Sequence, residues 1–215
     1  YTSMISVLIT THNIPQKEKF LARAISTVEA QTYKDYEIVV QNDDNGEGMA
    51  ANTNHGIRKC KGEIIKLLNM DDMFAHENAL QIIADNFAPE DYWLATGCVH
   101  TLDGKTTLNP HLPEWNLVEI RKSNNGIGGL SVIAFRNDDP VMLNEKLSWV
   151  VDVEWYERMA RRSKPKLVND LNVCIQWGPH QTTHTLTEEY REKEAREFME
   201  RYHPKDDIYF VQRKI

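Results

Sequence analysis

Residues 62–74 read Gly-Glu-Ile-Ile-Lys-Leu-Leu-Asn-Met-Asp-Asp-Met-Phe, an apolar run that leaves a turn and stops at two adjacent carboxylates, Asp71 and Asp72. Ile64, Ile65, Leu67 and Leu68 have the pattern of a buried strand too short to be a helix on its own. Carboxylates at the tip of a buried strand are costly to desolvate, so they need water, a cation or a hydrogen-bonded ligand there. In an open α/β sheet, ligands bind outside the carboxyl ends of the strands. The chemistry these residues can perform is therefore to hold a metal or a polar ligand at a strand tip.

The elements that must carry this tip alternate. A first buried strand is expected over residues 4–10, a helix with Phe20, Leu21, Ala24, Ile25 and Val28 on one face over 19–31, and a second strand over 36–41. The second strand ends at the turn signal Asn42-Asp43-Asp44-Asn45-Gly46. A helix over 49–59 precedes the strand that ends in the two acids, and a helix over 79–87 and a strand over 92–99 follow it. Strand–helix alternation predicts a mostly parallel α/β sheet flanked by helices. Beyond residue 99 the pattern changes. Asp103-Gly104 is a hairpin-type turn, residues 109–115 with two prolines read as irregular, and 123–129 read as a flexible loop before a strand over 131–135. A helix within 148–160 has Asp152 and Glu154 near its start, a last strand falls in 167–177, and a charged helix spans 188–202. Tyr190, Ala195, Phe198, Met199 and Tyr202 form the candidate apolar face of that last helix.

With 215 residues, 41% hydrophobic and 27% charged, the chain suits one moderate globular domain. It is expected to divide into a ligand-binding first half (1–100), a second half (101–185) and a C-terminal helix and tail (186–215), and to be a domain that a longer protein could contain. A formal net charge of -7 argues against a nucleic-acid surface and fits recruitment of a cation to handle an anionic ligand. Cys60, Cys98 and Cys174 form no CxxC and are odd in number, which predicts buried free thiols in a reducing compartment. No apolar run has membrane-spanning length, so a soluble, cytoplasmic protein is expected. There is no Walker or dinucleotide-type glycine loop, which favours neutralisation of a diphosphate by a metal over neutralisation by a loop.

The ordered set Thr10-Thr11-His12-Asn13, Asn42-Asp43-Asp44, Asn54-His55-Gly56-Ile57, Gly62-Glu63-Ile64-Ile65, Asn69-Met70-Asp71-Asp72, Asp152-Val153-Glu154-Trp155 and Gly178-Pro179-His180 resembles the family 2 glycosyltransferases of the GT-A fold. The resemblance covers the chain to about residue 185. It implies a nucleotide-diphosphate-sugar transferase that is metal-dependent and inverting, with a UDP-sugar favoured as donor and a glycan or glycoprotein as acceptor. Thr10, Thr11, His12, Asn13 and Asp43 would flank the base and ribose, with Asn54, Asn69 and Asp72 also on the nucleotide-sugar side. A carboxylate at Asp43 can accept hydrogen bonds from a ring N–H or ribose hydroxyls. As a bare stretch, 42–46 serves equally well as a solvated turn.

The usual Asp-x-Asp-Asp of the family is Asn69-Met70-Asp71-Asp72 here, so the first acid is an amide, and Thr53 stands where relatives often have Arg. By resemblance, Asp71 and a late-loop histidine, His180, would ligate Mn2+ or Mg2+, hard cations suited to oxygen ligands and a diphosphate. His184 competes with His180, and Asp72 or Asn69 could instead cap the following helix. Asp152 would be the general base that deprotonates the acceptor hydroxyl. On position alone an acid favoured at a helix N-terminus is the better reading, and the order of the family motifs reverses that preference. Trp149, Gly128 and Gly129 would shape the acceptor side, along with Trp115. A nucleotidyltransferase would want a Gly- and Lys/Arg-rich first loop, which residues 10–17 do not supply. A nucleotide-sugar-binding domain without turnover is the other alternative, kept open by Asn69 and Thr53.

Overall fold

The apolar runs of the first half become the middle of one sheet. The computed structural model describes residues 3–202, apart from the side chains of Thr182 and Thr183. Strand β1 (Ile5–Thr11) is buried along its whole length, between β2 (Tyr36–Asn42) and β3 (Ile64–Asn69), and pairs with both in parallel. A strand buried on both faces needs a largely apolar run, and Ile5–Ile9 and the 64–68 run supply one apart from Ser6 and Lys66. Helices α1 (Lys17–Glu29) and α2 (Met49–Ile57) make the crossovers, and α1 buries Phe20, Ala24 and Val28.

The second half continues the same sheet. β4 (Met73–Phe74) follows the two acids directly, and then come α3 (Ala79–Asn86), β5 (Trp93–Thr101), β6 (Leu108–His111) and α4 (Leu117–Arg121). A single 3-10 turn, Leu130–Val132, leads into β7 (Ile133–Arg136), which is followed by α5 (Val151–Ala160), β8 (Lys166–Gln176), the short α6 (Thr182–Thr185) and α7 (Glu188–Glu200). The strand order is β2-β1-β3-β7-β5-β8-β4, with β6 paired to β5. The sheet is parallel across β2-β1-β3 and β5-β8, while β7, β6 and β4 enter antiparallel. The fold is of the GT-A nucleotide-diphospho-sugar transferase type, an α/β sheet flanked by helices.

Two sequence expectations change. The 109–115 segment is not irregular throughout, because β6 occupies its start and places Pro110 on an edge strand, where its missing N–H costs no ladder bond. The apolar face of α7 is narrower than its aromatics suggest, since Phe198 and the carboxylate-bearing Glu194 are buried while Tyr190 is exposed. Near the β5–β8 bulge, a Cβ on Gly97 would stand 2.9 Å from the carbonyls of both Asp170 and His111, so only glycine permits this approach. The three cysteines are free and buried, and burial pushes the Cys60 and Cys98 thiols up to about 12 and about 11. Residues 203–215 of the expected tail lie outside the described residues, as do Tyr1 and Thr2.

An aromatic cluster fixes α5 against the sheet. Trp93 stacks on Tyr156 at 5.6 Å, and the Trp155 ring meets Phe135 edge-on at 5.2 Å. Trp155 Nε1 donates to the Val141 carbonyl and Trp93 Nε1 to Ser163, so burying these rings strands no polar group. Trp115 packs edge-on against Trp93. At the other end of α5, the Glu194 carboxylate accepts from the backbone N–H groups of Ser148, Trp149 and Val150 at 3.0, 2.5 and 2.8 Å, and from Tyr190 Oη. A carboxylate on the free N–H groups of a helix start is favoured both by hydrogen bonding and by the helix dipole. Replacing Glu194 with Ala leaves three N–H donors without this acceptor and should cost about 2 kcal/mol of stability. Urea unfolding of the two proteins measures it, and a loss within error of zero would mean that water replaces the carboxylate.

Candidate active site

The ends of β1, β2 and β3 meet at one mouth. Register places Thr10 beside Gln41 and Asn69, and Thr11 beside Asn42. Side chains tie these ends together: Thr10 Oγ1 donates to Asn69 Oδ1 at 3.3 Å and Thr11 Oγ1 to Asn42 Oδ1 at 2.8 Å. Asp43 accepts from the backbone N–H groups of Glu47 and Gly48, which closes the turn that follows β2. His12 is half-buried here and Asn13 is exposed. Burial lowers the His12 pKa, reinforced by nearby His180 and opposed by Asp71 and Asp43, so its imidazole is neutral at pH 7.

Asp71 and His180 are brought together across 109 residues. His180 Nε2–H donates to Asp71 Oδ2 at 2.8 Å, both side chains being about nine-tenths buried. The imidazole lies against the Phe20 ring at 5.3 Å and stacks near His12 at 6.5 Å. Arg23 of α1 donates to the Asp71 carbonyl and to Gln176 Oε1. His184, the alternative, is exposed. Two donors at right angles about a hard cation, each at about 2.1 Å, stand about 3 Å apart. The Asp71–His180 pair therefore fits two neighbouring positions of an octahedral shell. No group of three or more His, Cys, Asp or Glu side chains that could hold a metal ion occurs among the described residues. A Mn2+ or Mg2+ ion held here would take its other ligands from substrate oxygens and water.

Asp72 turns inward. Expected as a contact to the nucleotide sugar, it instead has both oxygens engaged by the protein: Ser131 Oγ donates to Oδ2 at 2.5 Å and the Gln176 N–H to Oδ1 at 3.0 Å. Burial and the neighbouring Asp71 push its pKa well above the usual carboxylate range, against the pull of those two bonds and of Arg23. It does not cap α3, whose N-cap position is Asn78. Asn54 is likewise buried, and its amide is spent on Leu143 and Glu145: Nδ2 donates to the Leu143 carbonyl and Glu145 Oε1, while Oδ1 accepts from the Leu143 N–H. Asn54 thereby fastens α2 to the 143–145 segment, and its amide is not directed at the nucleotide end.

Asp152 sits in the first turn of α5, partly exposed, at the wall of a cleft of about 620 Å³ that Trp149 also lines. Asn125 Nδ2 donates to Asp152 Oδ2 at 2.6 Å and to the Gly128 carbonyl, and Tyr156 Oη donates to the same carbonyl. Gly128 has φ +123°, a conformation costly for any residue with a Cβ, so the turn that carries Asn125 needs it. Gly129 is exposed. Glu154, the other acid at this helix start, is buried in a two-bond pair with Arg158 and faces no cleft.

Phe20, Arg23, Lys66, Asn125, Ser131 and Gln176 complete the site and did not stand out as site residues in the sequence. Only Lys66 left a signal there, an ammonium inside an otherwise apolar strand. It is fully buried, donates to the Ser131 carbonyl, and lies close enough to Asp72 for that carboxylate to act on it.

No family model matches the sequence, and the curated proteins give no sequence match either. Solved structures do resemble it. TarS of S. aureus superposes with a TM-score of 0.62 at 15% identity, over 92% of this chain and 43% of TarS. A crystal of TarS 1–349 in complex with UDP gives 0.61 at 15% identity, over 92% of this chain and 71% of that one. The mannosyltransferase PcManGT of Pyrobaculum calidifontis, in complex with GDP-Man and Mn2+, gives 0.59 at 14% identity, over 85% of this chain and 59% of that one. The chain thus spans less than half of that TarS chain, and what the likeness shows is the shared fold. No helix among the described residues is long and apolar enough to cross a membrane.

Burial lowers the pKa of Lys66 to about 7, with Asp72 opposing the fall. Between pH about 7 and the usual lysine value of about 10.4, the unfolded chain binds a proton here that the folded chain has released. Folding stability should therefore rise with pH across that window, and Lys66→Met should remove the rise. Unfolding midpoints at pH 7, 8 and 9 test this, and parallel pH dependences in the two proteins would refute it.

Proposed function

We propose that this chain is the catalytic domain of a metal-dependent, inverting glycosyltransferase akin to family 2. It would move a sugar from a nucleotide-diphosphate donor, a UDP-sugar in preference, to a hydroxyl of a glycan or glycoconjugate. The observation that carries this reading is the Asp71–His180 pair at the mouth of the parallel strands. Structures of the same fold that contain UDP, or GDP-Man with Mn2+, support it.

In this reading Thr10, Thr11, His12, Asn13 and Asp43 receive the base and ribose, with neutral His12 free of charge repulsion toward the cation site. Asp71 and His180 hold Mn2+ or Mg2+, which supplies the positive charge that stabilises a departing nucleoside diphosphate. Asp72 serves from below, keeping Ser131 and Gln176 under the strand tip so that Asp71 points outward. Asp152 takes the proton of the acceptor hydroxyl as that oxygen attacks the anomeric carbon. Asn125 keeps the Asp152 carboxylate in place for that transfer.

One observation favours a second reading, a nucleotide-sugar-binding domain without turnover. Asn69 replaces the first acid of the motif, and its Oδ1 is already held by Thr10. Metal-dependent hydrolysis of a UDP-sugar by the wild-type protein would exclude that second reading.

Asp71→Asn and His180→Ala should each weaken UDP binding in Mn2+ by about tenfold or more, as expected for loss of a ligand to the cation. Calorimetry with and without a chelator checks this, and an equal loss in chelator would remove both residues from the cation site. Asp152→Asn should lower transfer by about 10²–10⁴-fold, the usual contribution of a general base, with UDP affinity retained. Full transfer activity in that variant would show that the base lies elsewhere.

A further inference from the structure

Phe20 and Arg23 stand three residues apart on α1, a spacing that makes them neighbours on one helix face. Phe20 is buried, and the half-buried Arg23 lays its guanidinium over that ring at 5.1 Å. Arg23 Nη2 donates to the Asp71 carbonyl at 2.5 Å and Nη1 to Gln176 Oε1 at 2.9 Å. Its Nε is buried and has no hydrogen-bond partner among the described residues, so these two bonds and the Phe20 ring fix the guanidinium. The Phe20 ring also meets His180 at 5.3 Å, and His180 bonds the Asp71 carboxylate. The contacts close a ring: Arg23 holds the main chain of Asp71, His180 holds its side chain, and both lie against Phe20. Arg23 reaches the second acid as well, since the N–H of Gln176 donates to Asp72. A Cβ on Gly104 would collide with Arg23 Nη1, so the turn after β5 closes over the same guanidinium.

We propose that Arg23 is a positioning residue for the cation site, holding Asp71 and His180 in the arrangement that accepts the metal. The inference rests on the glycosyltransferase reading and adds to its site a residue outside the sequence motifs. Charge and geometry make opposite predictions for Arg23. By charge alone, a guanidinium bonded to the residue that holds a cation repels that cation, so removing it would tighten metal binding. By geometry, removing it frees the Asp71 main chain and uncovers Phe20, so metal binding weakens. The geometry accounts for an arginine at this position. Its two acceptors lie on different elements, the turn after β3 and the end of β8, and a planar fork reaches both at once while its face covers the ring. A lysine ammonium carries the same charge as a single point on a flexible stem, with no plane to lay on Phe20. Groups that orient metal ligands without touching the metal typically change its affinity by about 10–100-fold.

The test compares the full chain with Arg23→Met, Arg23→Lys and Gly104→Ala. Mn2+ affinity in the presence of UDP is read from the electron paramagnetic resonance signal of the free ion. Arg23→Met is expected to bind Mn2+ about 10–100-fold more weakly, and Arg23→Lys to stay about tenfold or more below wild type. Gly104→Ala pushes Nη1 away from Gln176 while keeping the arginine charge, and should shift the affinity in the same direction. A second readout uses the metal-free protein labelled with 15N-histidine, the His180 signals being assigned by their loss in His180→Ala. Wild type is expected to show a fixed, hydrogen-bonded Nε2–H at His180, and Arg23→Met to lose it. Unchanged or tighter Mn2+ binding in Arg23→Met, full recovery in Arg23→Lys, or an unchanged His180 signal would each overturn the proposal. Urea unfolding separates stability from positioning, because an arginine that only stabilises the fold leaves the His180 signal of the folded protein as it is. A wild-type protein that takes up no Mn2+ with UDP would refute the metal assignment itself, and the His180 signal would still decide whether Arg23 holds the pair.

Discussion

The buried carboxylate of Asp72 is the constraint on which the site is built. A carboxylate with almost no access to water is expensive unless its oxygens are hydrogen-bonded. The protein answers with Ser131 from the 3-10 turn and the Gln176 backbone from the end of β8. Satisfying one side chain thus pins two distant segments to the tip of β3. Asp71, one residue earlier in the turn between β3 and β4, instead bonds His180 at the mouth. Lys66, fully buried one turn of the pleat deeper, ties the Ser131 carbonyl to the same strand.

A single segment, residues 123–131, links this mouth to the cleft. Its first part supplies Asn125 to Asp152, and its last residue supplies Ser131 to Asp72. Gly128 makes the turn between them possible, and its carbonyl is held by Tyr156 of α5. The positions of Asp72 and Asp152 are therefore not independent, because one stretch of backbone is bonded to both. Helix α5 is held at its start by Glu194 and along its length by the Trp93, Tyr156, Trp155 and Phe135 rings. The C-terminal helix, which looks in the sequence like a charged surface element, thereby contributes the acceptor on which the start of α5 rests.

Much of the scaffold was readable in the residues. The runs at 5–9 and 64–68 are apolar apart from Ser6 and Lys66, close to what a strand covered on both faces requires. The strand over 92–99 and the helix within 148–160 were legible for the same local reason. The 109–115 segment was not, since a strand of four residues with an internal proline has no periodicity to detect and exists because β5 offers it an edge. The face of α7 was misread because an aromatic at Tyr190 outranks a glutamate in any hydrophobic count. Yet Glu194 is the residue that accepts from the N–H groups of Ser148, Trp149 and Val150.

The amino-acid sequence by itself determined the alternation of strands and helices, the placing of two acids at a strand tip and the order of motifs along the chain. These depend on side-chain periodicity and turn chemistry within a few residues. Only the tertiary structure decided which acid bonds His180, that His180 rather than His184 meets Asp71, that Asn54 fastens a helix to the 143–145 segment, and that Asn125 reaches the Asp152 carboxylate. Those outcomes depend on contacts between segments up to 109 residues apart. Which partner reaches a given carboxylate is set by how the sheet and its helices pack, and spacing along the chain carries no record of that.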